Sequence, residues 1–358
     1  MSQYEARLER DLSHIRGQLA SLAEAVQTAL ETASLALFAS DHELAYGVCL
    51  ADHPINRASR ELDKICHGFI AVHLPSAGHL RFVSAVMRLN LELERIGDYA
   101  VTISRETAQL QAPPADPAGG QLQQVAHEAR RLLALAVSAF DDGDADAARA
   151  GIKSALVARR HVGACFAAVV KDEKSAPARE LLFRVVILNC YDRVVDQSKN
   201  ICEETIFAVT GETKAPKSYR VLFLDRDNSI LGPMAQAIAT KHHAQSGQYS
   251  SAGQQPADTF RQGLGVFLAE RGFELAATTR QLDPTADLGD YHVIVSLQGS
   301  VRDHIGNVPY STIALDWNLD AALSAESNES SQLFESVYRS LAPQIRDLMM
   351  TVHGEEQS

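Results

Sequence analysis

The amino-acid sequence predicts a multidomain protein of the α plus α/β class, in which two tandem three-helix bundles precede an open parallel-sheet α/β domain. Three observations predict this fold class. Apolar residues recur every three or four positions through most of residues 4–209, which is the period of amphipathic helices. One acidic segment occurs twice within that region. After residue 219, short β-prone runs alternate with helical stretches, as in parallel sheets.

The composition is that of a globular protein with two or three domains. The chain has 358 residues, of which 46% are hydrophobic and 22% are charged. Its formal net charge of −12 argues against non-specific binding to nucleic acid or to an anionic membrane surface. We therefore expect no nucleic-acid partner.

The sequence also predicts a cytoplasmic protein without direct membrane insertion. Its N-terminus begins with charged residues and lacks the apolar segment of a secretory signal. No run approaches the roughly 18 apolar residues that span a bilayer. The five cysteines are an odd number without Cys-x-x-Cys spacing, which argues against a disulfide framework.

The first predicted domain is a three-helix bundle over residues 1–111. Asp41 is a good N-cap for its second helix. Pro54 lies inside that helix, where a proline is expected to kink or divide it. The three helices are predicted over residues 4–38, about 41–69 and about 79–109.

The second predicted domain, residues 121–212, repeats this plan. Residues 112–120 contain three prolines and two glycines, so we interpret them as the linker between the bundles. A second boundary is predicted at residues 211–218. The helices of this bundle are predicted over residues 122–140, about 148–166 and about 178–209.

The acidic segment that occurs twice is Glu94–Thr107, repeated as Asp192–Thr205. Equivalent residues of the two copies lie 98 positions apart. Residues four positions apart lie on one face of a helix, so each copy displays a row of polar side chains. The first acidic row is Glu94, Asp98, Thr102 and Glu106, and the second acidic row is Asp192, Asp196, Asn200 and Glu204.

Two interpretations of these rows are open. Carboxylates four residues apart destabilise a helix by about 0.2–0.5 kcal/mol per pair unless a cation lies between them, and hard oxygen ligands suit a divalent or ferric metal. Alternatively, each row is a solvated face, with Arg95 paired to Asp98 and Arg193 paired to Asp196. Recurrence in both halves strengthens the metal interpretation without deciding between the two.

The segments ERIGDYAVTI and DRVVDQSKNI resemble the PhoU family of phosphate-uptake regulators, and this resemblance covers about residues 1–212. It implies tandem PhoU-like three-helix bundles, each with an E/D-x-x-x-D motif that can bind iron or another divalent metal. Thr102 departs from the asparagine usual in the family, which Asn200 keeps. The metal-binding positions implied by the motif are Glu94, Asp98, Asp192 and Asp196.

The same resemblance implies a function. We expect a negative regulator of inorganic phosphate uptake and phosphate-starvation signalling, which contacts the ATPase subunit of a phosphate ABC transporter and a phosphate-sensing histidine kinase. A homo-oligomer, specifically a dimer, is also expected. A metal-binding scaffold without any role in phosphate control is kept as an alternative.

The last predicted domain, residues 219–355, is an α/β domain. Its ligand site is expected in the loop Asp225–Gly232, because ligands of such domains bind at the carboxyl ends of the strands. β-Prone runs lie at residues 219–224, 292–297 and 312–315, and helices are predicted over residues 233–243, 260–271 and 331–352.

This domain resembles the low-molecular-weight protein tyrosine phosphatase and arsenate reductase family over nearly all of residues 219–350. Asp225 stands where that family has its nucleophilic cysteine, Leu231 where it has an arginine, and Gly232 where it has a serine or threonine. No cysteine follows Cys202. We therefore expect a pseudo-phosphatase without catalytic residues. The resemblance rests on Val221–Leu224, Asn228, Pro233–Ala235, Ser251–Gly253 and Arg280.

An enzymatic alternative comes from the same loop. Phe223–Ser229 also resembles the first motif of haloacid-dehalogenase-type phosphatases, in which Asp225 would be the nucleophile and Asp227 the acid/base, with magnesium between them. Those enzymes also need a downstream lysine, and no lysine follows Lys241. The non-enzymatic interpretation is therefore preferred.

Overall fold

The computed structural model describes residues 3–114, 118–171, 177–213, 218–283, 288–309, 312–323 and 330–353. They divide into two compact units, Met1–Lys214 and Ala215–Ser358, within the predicted boundary at residues 211–218. Parts of the predicted linkers and domains lie outside the described residues, namely 1–2, 115–117, 172–176, 214–217, 284–287, 310–311, 324–329 and 354–355.

The first unit is helical, as predicted. The sequence places its helix ends within a few residues of those observed. Pro54 lies within the undivided helix His42–His73, so the expected division of this helix does not occur, and the adjacent Ile55 is buried in the core. The helices are α1 (Gln3–Ala39), α2 (His42–His73), α3 (Ala77–Thr107), α4 (Ala118–Asp142), α5 (Ala145–Lys171) and α6 (Ala178–Thr210).

The six helices form two bundles with one hydrophobic core. Helices α1, α2 and α3 pack on one another, as do α4, α5 and α6, and α3 packs against α6. Buried side chains form a single apolar cluster that runs through all six helices. Ser34 of α1 and Tyr191 of α6 meet inside it, with their hydroxyl oxygens 2.9 Å apart.

The repeat of 98 positions is visible in the burial of α3 and α6. Apolar or small residues at equivalent positions are buried in both helices, and their carboxylate rows lie on the other side. Thr107 and Thr205 each donate a hydrogen bond to the backbone carbonyl four residues earlier. The equivalent buried pairs are Leu93 and Tyr191, Ile96 and Val194, Ala100 and Ser198, and Ile103 and Ile201.

The second unit is an open parallel α/β sheet, as predicted, with the strand order β2-β1-β3-β4. Side chains alternate between its two faces, and helices pack on both. Its elements are β1 (Tyr219–Asp225), α7 (Leu231–His242), β2 (Gly247–Gly253), α8 (Leu264–Glu270), β3 (Val293–Ser296), α9 (Val301–Ile305), β4 (Ile313–Asp316), α10 (Asp320–Leu323) and α11 (Ser330–His353).

Strand β2 is the element that the sequence does not predict as a strand. Its seven residues include two glycines, a glutamine and two serines, which have weak β propensity. The strand forms because its backbone pairs with β1 along its whole length, from Tyr219 opposite Gly247 to Asp225 opposite Gly253. Tertiary pairing therefore overrides local propensity here.

The buried hydroxyl pair allows a test of the packing between the halves of the helical unit. Ser34 donates to the carbonyl of Leu30, so Tyr191 donates to Ser34. We expect Ser34→Ala to lower the free energy of unfolding by about 1–3 kcal/mol because the Tyr191 hydroxyl loses its acceptor, and Tyr191→Phe to lower it by only about 0.5–1.5 kcal/mol. Urea unfolding followed by far-ultraviolet circular dichroism measures both, and an equal cost for the two variants would contradict this donor order.

Candidate functional site

The first acidic row lies on the outer side of α3. Glu94 is half-buried and Asp98 is exposed. The pKa of the Glu94 carboxyl is raised, first by partial burial and then by the charge of Asp98. The pKa of Asp98 is raised by partial burial and then by the charge of Asp52 on α2. A third carboxylate therefore faces the row from the neighbouring helix.

Asp52 is a member of this site that the sequence reasoning missed. The sequence feature that could have identified Asp52 is its spacing from Asn56, which follows four residues later on the same face of α2. The side-chain oxygen of Asn56 is buried and has no hydrogen-bond partner. Among the described residues, Asp52, Glu94 and Asp98 form no ion pair. The surroundings of the first row thus offer several oxygen ligands, and the nearby arginines Arg60, Arg95 and Arg105 lower the pKa values of its carboxyls without forming an ion pair with them in the described part of the chain.

This donor set has the chemistry of a site for a hard cation. Carboxylate and amide oxygens suit a divalent or ferric ion, and a cation would offset the partial burial and the like charges that raise both pKa values. In the described ranges, however, no three His, Cys, Asp or Glu side chains converge closely enough to hold a metal. Direct ligation by three carboxylates would therefore require rotation of side chains, and water molecules would complete the ligand shell.

The second acidic row is arranged differently. Arg159 of α5 lies over it, with Nη2 3.0 Å from Asp196 Oδ1 and Nε 3.9 Å from Asp192 Oδ1. Arg193 lies 3.8 Å from Asp196, which is the ion pair proposed from the sequence as the alternative to metal binding. The corresponding pair does not form in the first row, where Arg95 pairs with Glu92 at 3.7 Å.

The remaining members of the second row contact α3. Asn200 Nδ2 donates to Glu92 Oε1 over 3.2 Å. Arg88 Nη1 lies 2.9 Å from both carboxylate oxygens of Glu204. In the first row, Thr102 bonds only to the backbone carbonyl of Asp98 within its own helix. The C-terminal members of the two rows therefore have different roles. Asn200 and Glu204 of α6 connect the two bundles, whereas Thr102 of α3 bonds within its own helix.

The loop after β1 encloses the Asp225 carboxylate. Asp225 is 1% exposed, and its two oxygens accept separate backbone hydrogen bonds, from Asn228 N at 2.6 Å and from Gly232 N at 2.8 Å. Burial raises the pKa of Asp225 to about 7, against the lowering effect of these two bonds. The Asp225 carboxyl group, supplied by the chain itself, thus fills the concave side of the loop.

Neighbouring residues are matched to this enclosed carboxylate. A Cβ atom added to Gly232 would lie 2.7 Å from Asn228 Nδ2 and 3.2 Å from Asp225 Oδ2, so the serine or threonine of the resembling family does not fit there. Leu231, at the arginine position of that family, is 2% exposed and belongs to the apolar core. Asn228 has a φ of 51°, and its Oδ1 accepts from Arg280 N.

Two other acidic residues near this loop, Asp227 and Asp320, are bound locally. Asp227 is exposed, and its Oδ1 accepts hydrogen bonds from the backbone N and the hydroxyl of Ser229. Asp320 accepts from Gln298 Nε2 over 2.7 Å. Gln298 Oε1 in turn accepts from Arg226 N. The enclosure of Asp225 disfavours the aspartate-nucleophile interpretation, because a nucleophile must reach its substrate.

Comparison with known proteins relates the helical unit to a known family. The family model described as the PhoU domain matches residues 19–107. The resemblance noted from the repeated acidic segment is thereby confirmed for the first bundle.

Among the described helices, none is long and apolar enough to cross a membrane.

Several proteins similar to this chain extend the PhoU relationship across both bundles. The phosphate-specific transport system accessory protein PhoU homolog of Pseudomonas putida is 28% identical over 204 residues, which cover 56% of this chain and 80% of that protein. PhoU of Escherichia coli K12 is 27% identical over 206 residues, with 56% and 85% covered. The crystal structure of PhoU from Streptococcus pneumoniae matches with a TM-score of 0.54 and 25% identity, and the match covers 59% of this chain and 99% of that chain.

The α/β unit has a more distant structural likeness. An arsenate reductase in the phosphate-binding state covers 37% of this chain and 98% of its own length, with 21% identity and a TM-score of 0.31. A likeness at this level concerns the fold and assigns no activity.

The enclosed carboxylate leads to a prediction for Asp225→Asn. An asparagine places an NH₂ group against one of the two backbone donors, so we expect a loss of about 1–3 kcal/mol in the free energy of unfolding. The raised folded-state pKa means that Asp225 contributes stability below its unfolded pKa and loses that contribution as the pH rises through about 7. The variant should therefore also show a flatter dependence on pH between about 4 and 7.

The single tryptophan provides the measurement. Trp317 packs against Phe223 of β1, with ring centroids 6.0 Å apart, so its fluorescence reports the unfolding of this unit in urea. Asp258→Asn is the matched control, because the Asp258 side chain is exposed in the same unit and is not one of the groups that shift the pKa of Asp225. Equal pH profiles for the wild type and Asp225→Asn would contradict the enclosure of a titrating carboxylate.

Proposed function

We propose that this protein is a non-enzymatic regulator of inorganic phosphate uptake and phosphate-starvation signalling. The observation that carries the proposal is the relationship of the helical unit, over 204 residues, to accessory proteins of phosphate-specific transport. The regulation is negative, so that phosphate uptake and starvation signalling are both reduced when phosphate is plentiful.

The proposed partners are the ATPase subunit of a phosphate ABC transporter and a phosphate-sensing histidine kinase. Both present soluble protein surfaces at the cytoplasmic side of a membrane, so a protein acting there needs no membrane-spanning segment of its own. The helical unit is the proposed contact surface, because it is the part of the chain related to transport accessory proteins. We further propose that the protein acts in the cytoplasm as a homodimer.

The α/β unit is proposed to be a pseudo-phosphatase. Three features support the loss of catalysis: Asp225 is enclosed at the nucleophile position, Leu231 is buried at the arginine position, and no cysteine follows Cys202. Phosphoryl chemistry in the resembling family needs an accessible thiolate and an arginine that binds the oxyanion. We propose that such a unit serves in dimerisation or in partner selection.

The first acidic row is proposed to hold a metal ion, iron or another divalent cation, at Glu94 and Asp98 with Asp52 beside them. The raised pKa values of Glu94 and Asp98 support this, because partial burial first and neighbouring carboxylates second disfavour their charged forms, and a bound cation would offset both effects. A bound metal would neutralise this charge and modulate the surface that the α2–α3 pair presents. The second row, at Asp192 and Asp196, carries Arg159 instead.

Deletion of the gene tests the regulatory role. We expect phosphate-starvation genes to be expressed in phosphate-rich medium in the deletion strain, because a negative regulator is absent. A reporter fused to a starvation-induced promoter measures this, and wild-type protein supplied in trans should restore repression. Unchanged reporter expression in the deletion strain would refute the proposed role.

Binding of Mn²⁺ tests the metal site of the first row. We expect purified wild-type protein to bind Mn²⁺ in equilibrium dialysis, and Glu94→Ala/Asp98→Ala to lose that binding. Because the pKa values of both carboxyls are raised, protons compete at a higher pH than for ordinary carboxylates, and affinity should fall as the medium is acidified. Glu61→Ala/Asp63→Ala removes the same charge from an exposed part of α2 and serves as the control.

A further inference from the structure

Helices α2 and α5 are repeats of each other, with equivalent residues 103 positions apart. Each helix begins after an aspartate that caps it. The Asp41 carboxylate accepts from the backbone N of Leu44, and the Asp144 carboxylate accepts from the backbone N of Ala147, three residues after the cap in both cases. The start of both helices is therefore aligned by the same interaction.

Burial follows the same alignment along both helices. Equivalent positions that point into the core are occupied by small or apolar residues in each. The pairs that are buried in both helices are Ala45 and Ala148, Val48 and Gly151, Ile55 and Ala158, Leu62 and Cys165, and Cys66 and Val169. The alignment places Ala155 at the position of Asp52 and Arg159 at the position of Asn56.

The face of α5 beside the second acidic row therefore differs chemically from the equivalent face of α2. Where α2 offers a carboxylate and an amide oxygen, α5 offers a methyl group and a guanidinium group. The guanidinium of Arg159 reaches both carboxylates of its row, Asp196 closely and Asp192 at 3.9 Å. A position that supplies an oxygen ligand in one half supplies a cation in the other.

A second difference between the two halves, on α3 and α6, has the same effect. Glu92, which pairs with Arg95 in the first half, is replaced by Cys190 at the equivalent position 98 residues later. Arg193, the counterpart of Arg95, therefore lies near Asp196 instead. The two carboxylates of the second row have two arginines close by, whereas in the described part of the chain those of the first row have no ion pair.

We propose that Arg159 is the permanent cation of the second acidic row and excludes divalent metal from it. A guanidinium group stays protonated throughout the physiological pH range and is tethered to the site by α5. A metal ion would have to displace this tethered charge and would be repelled by it. The charge of the second row is consequently independent of metal supply, and the two halves of the protein differ in their response to metal.

The experiment is made in the Glu94→Ala/Asp98→Ala background, so that it does not depend on the metal site proposed for the first row. Uptake of Mn²⁺ is measured by equilibrium dialysis and by electron paramagnetic resonance. We expect no uptake in this background, and a gain of about one Mn²⁺ per chain when Arg159→Asn, or Arg159→Asn together with Arg193→Ala, is added. Arg159→Lys, which keeps the charge, should bind none.

The outcomes separate the two proposals. Uptake by the background that disappears in Asp192→Ala/Asp196→Ala, uptake by the Arg159→Lys variant, or no uptake by either Arg159→Asn variant would overturn the role of Arg159. Arg159 is half exposed, so its replacement leaves the core intact, and circular dichroism verifies the helical content of each variant. Equal uptake by wild type and the background refutes the metal site of the first row alone and leaves the Arg159 test unaffected.

Discussion

The packing of α3 against α6 is the interaction on which the helical unit depends. Both helices bury equivalent residues in one core, for example Ile96 with Val194, and this fixes the direction in which each acidic row faces. Polar contacts at the edge of the packing, including Arg88 with Glu204 and Asn200 with Glu92, set the register between the two helices. The rows are thus held by rigid elements whose other sides are buried.

Much of the helical fold is predictable from the sequence because its signals are local. The periodicity of apolar residues predicts the helices, and the repeat of 98 positions predicts the two acidic rows. The composition of the first site is not predictable in this way, because Asp52 comes from another helix and contributes through space. The same holds for Arg159, whose significance depends on an alignment of α2 with α5 that differs by five positions from that of α3 with α6. An insertion or deletion between the helices hides such equivalences.

In the α/β unit, the sequence indicates which residues depart from the resembling family, and the structure explains why they depart together. Asp225 needs acceptor geometry toward two backbone donors, and Gly232 supplies both a donor and the space for the carboxylate. Leu231 packs in the apolar core at the position where the resembling family has a charged arginine. Strand β2 was missed because its stability comes from pairing with β1 and not from its own residues. Each miss therefore reflects an interaction between segments distant in sequence.

The continuous core of the six helices has a thermodynamic consequence. A unit with one core unfolds cooperatively, so a ligand that binds the native state at any place stabilises the whole unit. At a free concentration 100 times the dissociation constant, this linkage amounts to about 2.7 kcal/mol. Occupancy on α3 would therefore suppress every opening of α5 and α6 that also unfolds the α3 site, and one half of the duplicated fold can report the state of the other through its global stability.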